Sequence, residues 1–217
     1  MGMYEDLLNN LTNSSYPLQD IFLKLKILAK RLNNVKLGNF VEAELNGYNN
    51  ENELPSYRKF DGILIGVVEN AVARRTNVNL PTIHLKDEGL ENIQTCYFIN
   101  KLSEIESYTE NENLTKPIPP EFYDILSKPL GNGYTVTAAY IPISKAKIKG
   151  ILTGIRSALL DLMLSIEDQF TKTEIDTLFQ NPTKEQLDKA NVVINQFFIS
   201  SFDSSTQNTK IELENDK

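Results

Sequence analysis

The chain has one cysteine, one histidine and no tryptophan among its 217 residues. Because Cys96 is alone, no intramolecular disulfide and no cysteine-based zinc site can form, which is typical of a protein from a reducing compartment. Because His84 is alone, a metal site built from several histidines is excluded. A catalytic pair would have to join Cys96 to His84, and both lie in segments that packing explains better. We therefore expect no metal and no cofactor.

Long apolar runs are also absent. No stretch approaches the roughly 18 apolar residues that a membrane-spanning helix needs. The N-terminus has no basic region followed by an apolar run, so it does not resemble a secretory signal. We therefore expect a cytoplasmic protein without a membrane partner.

Positive charge is in the minority, since the formal net charge is -7 at pH 7. Phosphate contacts need clustered lysine and arginine, so this balance argues against broad binding to nucleic acid. It does not exclude a local basic patch, and the question of a nucleic-acid partner stays open. The glycine patterns of phosphate-binding loops and of the hydrolase nucleophile elbow are missing as well.

Helical spacing of apolar residues predicts three amphipathic helices at the start of the chain. The second has a long apolar stripe that Leu23 and Ile27 widen, so we expect this helix to be buried on two sides. Gly47 near the end of the third helix predicts a left-handed cap. Two further helices are predicted over about 90–108 and, in the strongest periodic pattern of the chain, over 144–170.

Extended segments interrupt this helical pattern. The β-branched run 63–68 and the segment 72–80 predict an antiparallel hairpin with its turn near Glu69-Asn70. The fold class that we predict is α+β and predominantly α-helical. It has a helical bundle core, a small antiparallel β element inserted around residues 57–81, and a strand near 134–143.

Glu44 is the carboxylate that stands out, because it lies close to the apolar stripe of the third helix, where an unpaired charge is costly. It is either an acid/base or ligand-orienting group, or the partner of a buried arginine such as Arg58 or Arg156. We prefer the second interpretation. Arg156 is in turn either part of a structural ion pair or an anion clamp, and the structural role is again preferred.

Two other features could contact a ligand. Arg74 and Arg75 form the best local basic feature, within the predicted hairpin. Tyrosines such as Tyr48 and Tyr57 could stack on a base, although such side chains more often cover the edge of a core with the hydroxyl in water. A solvated surface is the default interpretation of the two arginines.

Three segments carry a family resemblance. They are Glu44-Leu45-Asn46-Gly47-Tyr48, Leu54-Pro55-Ser56-Tyr57-Arg58, and the helical segment that starts Gly150-Ile151-Leu152 and continues through Ile155-Arg156. Together they resemble the AbiTii domain, which is associated with bacterial abortive-infection and other conflict systems. The resemblance covers about residues 3–168.

The resemblance implies a component of a bacterial anti-phage defence system. We expect an AbiTii-like domain at 1–168 and a helical C-terminal extension at 171–199, in which Thr183 and Gln186 match a capping box. The polar segment 200–217 is expected to be a flexible tail.

Two hypotheses about function follow. In the first, which we prefer, the chain is a binding and regulatory module that acts through another defence-system protein or through self-assembly, with Phe197 and Phe198 as its docking element. In the second, it is a toxin-type enzyme that acts on nucleic acid or a nucleotide. The candidate catalytic residues are Glu44, Tyr57, Arg58 and Arg156, and the speculative binding residues are Asn46, Tyr48, Arg74 and Arg75.

Overall fold

The computed structural model describes residues 2–202, so that all but three residues of the expected tail lie outside the described residues. Within that range the chain forms eight α-helices and six β-strands, which confirms a predominantly helical α+β fold. The helices are α1 (Met3–Thr12), α2 (Leu18–Leu32), α3 (Val35–Asn46), α4 (Leu102–Tyr108), α5 (Tyr123–Ser127), α6 (Lys145–Glu167), α7 (Lys172–Gln180) and α8 (Lys184–Phe202). The strands are β1 (Lys59–Asp61), β2 (Ile65–Glu69), β3 (Arg74–Asn79), β4 (Thr95–Tyr97), β5 (Thr115–Pro117) and β6 (Thr135–Pro142).

The chain divides into two compact units. The first, which we call the helical unit, contains the described part of Met1–Tyr57, Ile99–Glu106 and Ile151–Lys217. The second, the sheet unit, contains Arg58–Phe98 and Ser107–Gly150. The helical unit is thus assembled from segments that are far apart in sequence. The domain boundaries expected from the sequence, after residues 168 and 199, stay predictions.

The core of the helical unit is built on α2. Helices α1, α3, α7 and α8 pack against it, and its main apolar stripe is buried. The buried residues of α2 are Leu18, Ile21, Phe22, Leu25, Leu28, Ala29 and Leu32. Leu23 and Ile27, however, are 48% and 50% exposed. The prediction that α2 is buried on two sides is therefore wrong, because within the described residues the neighbouring helices cover only its main stripe.

One side chain joins the start of α3 to α8. Oδ1 of Asn34 accepts a hydrogen bond from the backbone N–H of Leu37 at 2.8 Å, the usual arrangement of an N-cap. Its Nδ2 donates to Oδ1 of Asn191 at 2.6 Å. Asn191 in turn donates from Nδ2 to the carbonyl oxygen of Leu32, the last residue of α2, at 3.2 Å. Polar groups as well as packing therefore tie α8 to the connection between α2 and α3.

A buried tyrosine links α1 to α6. The hydroxyl of Tyr4 donates to Oε2 of Glu167 at 2.8 Å and lies 3.3 Å from the carbonyl oxygen of Met163. Burial, and next the hydrogen bond to Glu167, raise the pKa of Tyr4 well above its usual value. Because the pKa is higher in the folded chain than in the unfolded chain, the stabilisation is present below about pH 10 and is lost as the pH rises further.

We expect Tyr4→Phe to make the stability of the chain less sensitive to alkaline pH. Near pH 8 the variant should be about 1 kcal/mol less stable than the wild type, because one hydrogen bond is lost. Above about pH 10 the difference should shrink, since only the wild type must keep this phenol protonated to stay folded. Urea unfolding at a series of pH values measures both effects. A difference that is constant across the series would contradict the linkage.

The sheet unit contains a four-stranded antiparallel sheet in the order β3-β2-β6-β5, and a separate pair of β1 with β4. The hairpin of β2 and β3 and the long strand β6 confirm the strands predicted in these regions. Asn77 in β3 has a φ of +54°, and the register between β2 and β3 shifts beside it, which is typical of a β-bulge. Within the described residues β3 is an edge strand, and a bulge beside the charged Arg74 and Arg75 discourages pairing with another chain.

The predicted helix over 90–108 is wrong in its first half. A 3₁₀ turn at Glu91–Gln94 leads into β4 instead, and α4 begins only at Leu102. The residues of β4 pair with β1, which places Phe60 opposite Cys96. The apolar residues of this segment also have the spacing of a helix, but pairing with β1 decides in favour of a strand. The short strand β5 pairs with β6 at the other edge of the four-stranded sheet.

Candidate functional site

The family motif is organised around Glu44 of α3. This side chain is completely buried. Its Oε1 accepts a hydrogen bond from the hydroxyl of Tyr48 at 2.8 Å and another from the hydroxyl of Tyr57 at 3.0 Å. The structure therefore brings together three of the residues that the sequence singled out. The shared carboxylate oxygen fixes both tyrosine rings relative to α3.

Two glycines make this arrangement sterically possible. Gly47 has φ +94° and ψ 164°, and a Cβ there would lie 2.8 Å from the carbonyl oxygen of Ile99. That backbone conformation is reached almost only by glycine, and it differs from the left-handed helical cap that we predicted. At Gly154 in α6, a Cβ would lie 2.5 Å from Cβ of Tyr57. Glycine is thus needed for the turn after α3 and for the close approach of Tyr57 to α6.

Arg58, the next residue along the chain, belongs to the sheet unit. Its side chain is completely buried, and NH1 donates to the carbonyl oxygen of Phe98 at 2.8 Å. Full burial is unusual for an arginine and requires hydrogen-bonded partners. A joint catalytic role of Arg58 with Glu44, Tyr57 and Arg156 stays a prediction.

Arg156 of α6 binds the end of α1 and the segment that follows it. NH1 lies 3.2 Å and 3.4 Å from the carbonyl oxygens of Asn10 and Leu11, in the last turn of α1. NH2 donates to the carbonyl oxygens of Ser14 and Tyr16. The last turn of α1 has no basic residue of its own, and its free carbonyl groups favour a cation there. Arg156 supplies that cation from another helix.

This geometry favours the structural interpretation of Arg156 over the anion clamp. Burial lowers the pKa of the guanidinium, and the nearby carboxylate of Glu106 partly offsets that shift. An arginine remains charged under these conditions, because its ordinary pKa is above 12. Its donors point at backbone carbonyls of its own unit, which leaves them poorly placed for a bound anion.

The basic pair on β3 is exposed, and each arginine has a neighbour within the sheet unit. Nε of Arg74 lies 3.8 Å from Oε2 of Glu69 on the adjacent strand. The guanidinium carbon of Arg75 lies 5.2 Å from the centre of the Tyr134 ring, within the range of a cation–π contact. A ligand-binding role for either arginine stays a prediction.

A pocket of about 640 Å³ opens beside the motif, and we call it the motif pocket. Asn46 lies on its wall, where Nδ2 donates to Oε2 of Glu42 at 2.8 Å. Two carboxylates line the pocket, and no described lining residue is a lysine or arginine. The lining residues are Asn39, Phe40, Glu42, Ala43, Asn46, Gly47, Tyr48, Asn49, Glu53, Pro55, Phe198 and Phe202.

A larger and more apolar depression of about 990 Å³ lies along α2 and α3, and we call it the helical groove. Three aliphatic side chains in its lining are exposed: Leu23 by 48%, Ile27 by 50% and Val35 by 72%. The remaining lining residues are Lys26, Ala29, Lys30, Arg31, Asn33, Asn34, Gly38, Asn39 and Glu42. Sequence reasoning missed this groove as a site, although the apolar Leu23 and Ile27 beside the main stripe were its signal.

Among the described residues of the sheet unit, Cys96 and His84 have separate contacts and do not form a catalytic pair. Cys96 is buried, which raises the pKa of its thiol, and Lys116 only partly offsets the effect. Such a thiol is a poor nucleophile, because the reactive form is the thiolate. Nε2 of His84 lies 3.0 Å from the carbonyl oxygen of Ile125, a contact within the packing of the sheet unit.

Residues 2–202 contain neither a membrane-spanning helix nor a cluster of metal ligands. No α-helix in this range is both long enough and apolar enough to span a membrane. No three histidine, cysteine, aspartate or glutamate residues in it are grouped so that they could hold a metal ion.

The described chain is therefore a helical bundle protein with an inserted antiparallel sheet, a buried glutamate–tyrosine cluster and an apolar surface groove. The AbiTii family profile matches residues 2–192, and the chain belongs to the AbiTii family. The match continues past residue 168 into α8. Membership places the chain in bacterial abortive infection, a form of anti-phage defence. Comparison with curated proteins and with solved structures gave no match.

Proposed function

We propose that this chain is a binding and regulatory module of an abortive-infection system, and that it docks a partner protein in the helical groove. The observation that carries the proposal is the exposure of Leu23, Ile27 and Val35 along one depression of the helical unit. Single exposed aliphatic residues are common on protein surfaces, but several that line one groove are typical of an interaction site.

The size and lining of the groove suit a helix of the partner. An amphipathic helix places its apolar side chains at positions i, i+4 and i+7, and such helices bind in apolar grooves between helices of the receptor. Leu23 and Ile27 are themselves four residues apart on α2, so they lie on the same side of the helix and form an apolar strip along its axis. Complete burial of an aliphatic side chain of this size contributes about 1.5–3 kcal/mol.

The two phenylalanines expected to form a docking element, Phe197 and Phe198, pack against each other with ring centres 5.7 Å apart, and Phe197 is half-buried. Phe198 of α8 is buried, with its ring centre 5.3 Å from that of Phe40 and 5.4 Å from that of Phe202. The apolar face of α8 therefore belongs to the core of the helical unit. Removing α8 would remove core residues, so deletion of this helix is unsuited as a test of partner binding. The proposal accordingly assigns docking to the helical groove.

The alternative function is a toxin-type enzyme that acts on nucleic acid or a nucleotide near Glu44. The motif pocket is large enough for a small ligand, and amide and tyrosine side chains line it. However, Glu53 would repel a phosphate, and no described lining residue offers a cation to offset it. The other carboxylate of the lining, Glu42, is already paired with Lys26. Glu44 itself is completely buried. These features support the binding module more strongly than the enzyme.

We expect Ile27→Asp to abolish phage protection without unfolding the chain. The aspartate would place a charge inside the apolar contact, where its desolvation opposes docking. Because Ile27 is half exposed in the free chain, the substitution should cost only about 1 kcal/mol of stability, which leaves the chain folded. Plaque counts in a bacterial host protected by this defence system measure the effect, and thermal unfolding checks the fold.

Val192→Asp is the matched control, since Val192 is an apolar residue of α8 that is 69% exposed and lies outside the groove lining. The control should retain full protection. Undiminished protection by Ile27→Asp would refute the proposed function.

A further inference from the structure

The charges around the helical groove are mostly positive. Lys26, Lys30 and Arg31 line it, together with a single carboxylate, Glu42. That carboxylate is already neutralised, because Nζ of Lys26 lies 2.6 Å from its Oε1. Lys30 and Arg31 therefore leave a positive rim on a chain whose formal net charge is -7.

From this charge pattern we infer that the occupant of the groove is an acidic amphipathic helix of a partner protein, a step that rests on the proposed function. Its aliphatic side chains contact Leu23, Ile27 and Val35. Glutamate or aspartate residues beside that apolar strip face Lys30 and Arg31. Complementary charges of this kind set partner choice and speed up association more than they add affinity.

The same pattern argues against two other occupants. In a pair of identical chains that docked groove to groove, the two positive rims would face each other, and like charges that meet across an interface weaken it. Single-stranded nucleic acid binds by stacking its bases on aromatic rings. None of the described residues that line the groove is aromatic, and its exposed centre is aliphatic.

The position of Lys30 makes it the residue to test. It lies on α2 three residues after Ile27, and its side chain is exposed. Arg31 is less suitable, because its NH1 also donates to the carbonyl oxygen of Phe179 at the end of α7. A change at Lys30 therefore alters the charge of the rim and leaves the packing of the helical unit intact.

The inference can be tested with two designed helical peptides of equal length. Both have the same leucine strip, but one has glutamate and the other lysine at the flanking positions. Fluorescence anisotropy with the full chain should show binding of the acidic peptide on the order of tenfold tighter at low salt, as expected from a few exposed ion pairs. The preference should nearly disappear near 1 M salt, where the screening length is about 3 Å.

Variants identify the surface that the peptides contact. Lys30→Glu should remove most of the preference for the acidic peptide, whereas Lys149→Glu, which changes an exposed lysine outside the groove lining, should keep it. Ile27→Asp should weaken binding of both peptides at least tenfold.

The possible failures are distinguishable. If neither peptide binds, the groove does not accept helices and the proposed function fails with the inference. If both bind equally and Ile27→Asp abolishes both, the groove is a docking site but its charge preference is refuted. Sedimentation of the chain alone measures its oligomeric state, which gives the last outcome. A dimer that Ile27→Asp dissociates would assign the groove to a second copy and overturn the acidic partner.

Discussion

Glu44→Ala is expected to destabilise the folded chain by about 2–4 kcal/mol, which is a large part of the stability of an ordinary domain. The substitution removes a completely buried carboxylate and leaves the hydroxyl groups of Tyr48 and Tyr57 without the oxygen to which both donate. A buried polar group that loses its partner costs about 1–3 kcal/mol by itself. Chemical denaturation followed by circular dichroism measures the change.

Glu42→Ala is the matched control, because Glu42 lies two residues earlier on the same helix. Its side chain is 46% exposed and interacts with Lys26 and Asn46 at the surface. Exposed ion pairs contribute about 0–1 kcal/mol, so this variant should remain close to the wild type. Equal effects of Glu42→Ala and Glu44→Ala would show that the buried cluster does not hold α3 in place.

The expected loss of stability affects how activity assays of Glu44 variants are interpreted. A Glu44 variant that loses a cellular effect has lost stability first, so the loss alone is no evidence for catalysis. Glu44→Gln keeps one carbonyl oxygen as an acceptor and is the milder test. A chemical role for Glu44 would be supported only by a variant that is as stable as the wild type, with the same midpoint of denaturant unfolding, and that still loses the cellular effect.

Arg156→Met should destabilise the chain by about 2–3 kcal/mol. The methionine preserves much of the aliphatic stem but removes the donors that bind carbonyl oxygens at the end of α1 and in the segment after it. Hydrogen bonds from a charged donor contribute about 1.5–3 kcal/mol, and these backbone groups would have only water as a replacement. Equilibrium unfolding in urea measures the loss.

Arg156→Lys separates geometry from charge. A lysine retains the positive charge but lacks the planar fork of the guanidinium, so it cannot reach the carbonyls of both Asn10 and Tyr16 at once. We expect it to recover less than half of the stability lost in Arg156→Met. The anion-clamp interpretation makes the opposite forecast. It would leave both variants as stable as the wild type and would make the wild type alone gain stability from added phosphate.

The helices could be predicted from the sequence because their apolar periodicity is long and regular. The helix α6, for example, extends over 23 residues with its core positions in register. The strands β4 and β5 have three residues each and exist only because of their partners in the sheet unit. A segment of three residues is too short to show the alternation of apolar and polar residues that identifies a strand. In β4, moreover, the spacing of apolar residues fitted a helix equally well.

The candidate site was predictable to a similar degree. The burial of Glu44 followed from its place beside an apolar stripe. Its hydrogen bond with Tyr48 could not be predicted, because Tyr48 lies beyond the end of α3, after the non-helical turn at Gly47. The groove could not be derived, because an apolar residue indicates a preference for burial but not whether the chain supplies its cover. Leu23 and Ile27 therefore read as core residues, and only the packed structure shows them exposed.

Asn34 has a consequence for signalling within the helical unit. The same side chain lines the groove, caps α3 and is anchored to Asn191 of α8. An occupant that displaces its amide would weaken the start of α3 and break one of the polar links to α8 in a single event. Occupancy at one surface would then be coupled energetically to a helix outside that surface, which is the requirement for allosteric transmission.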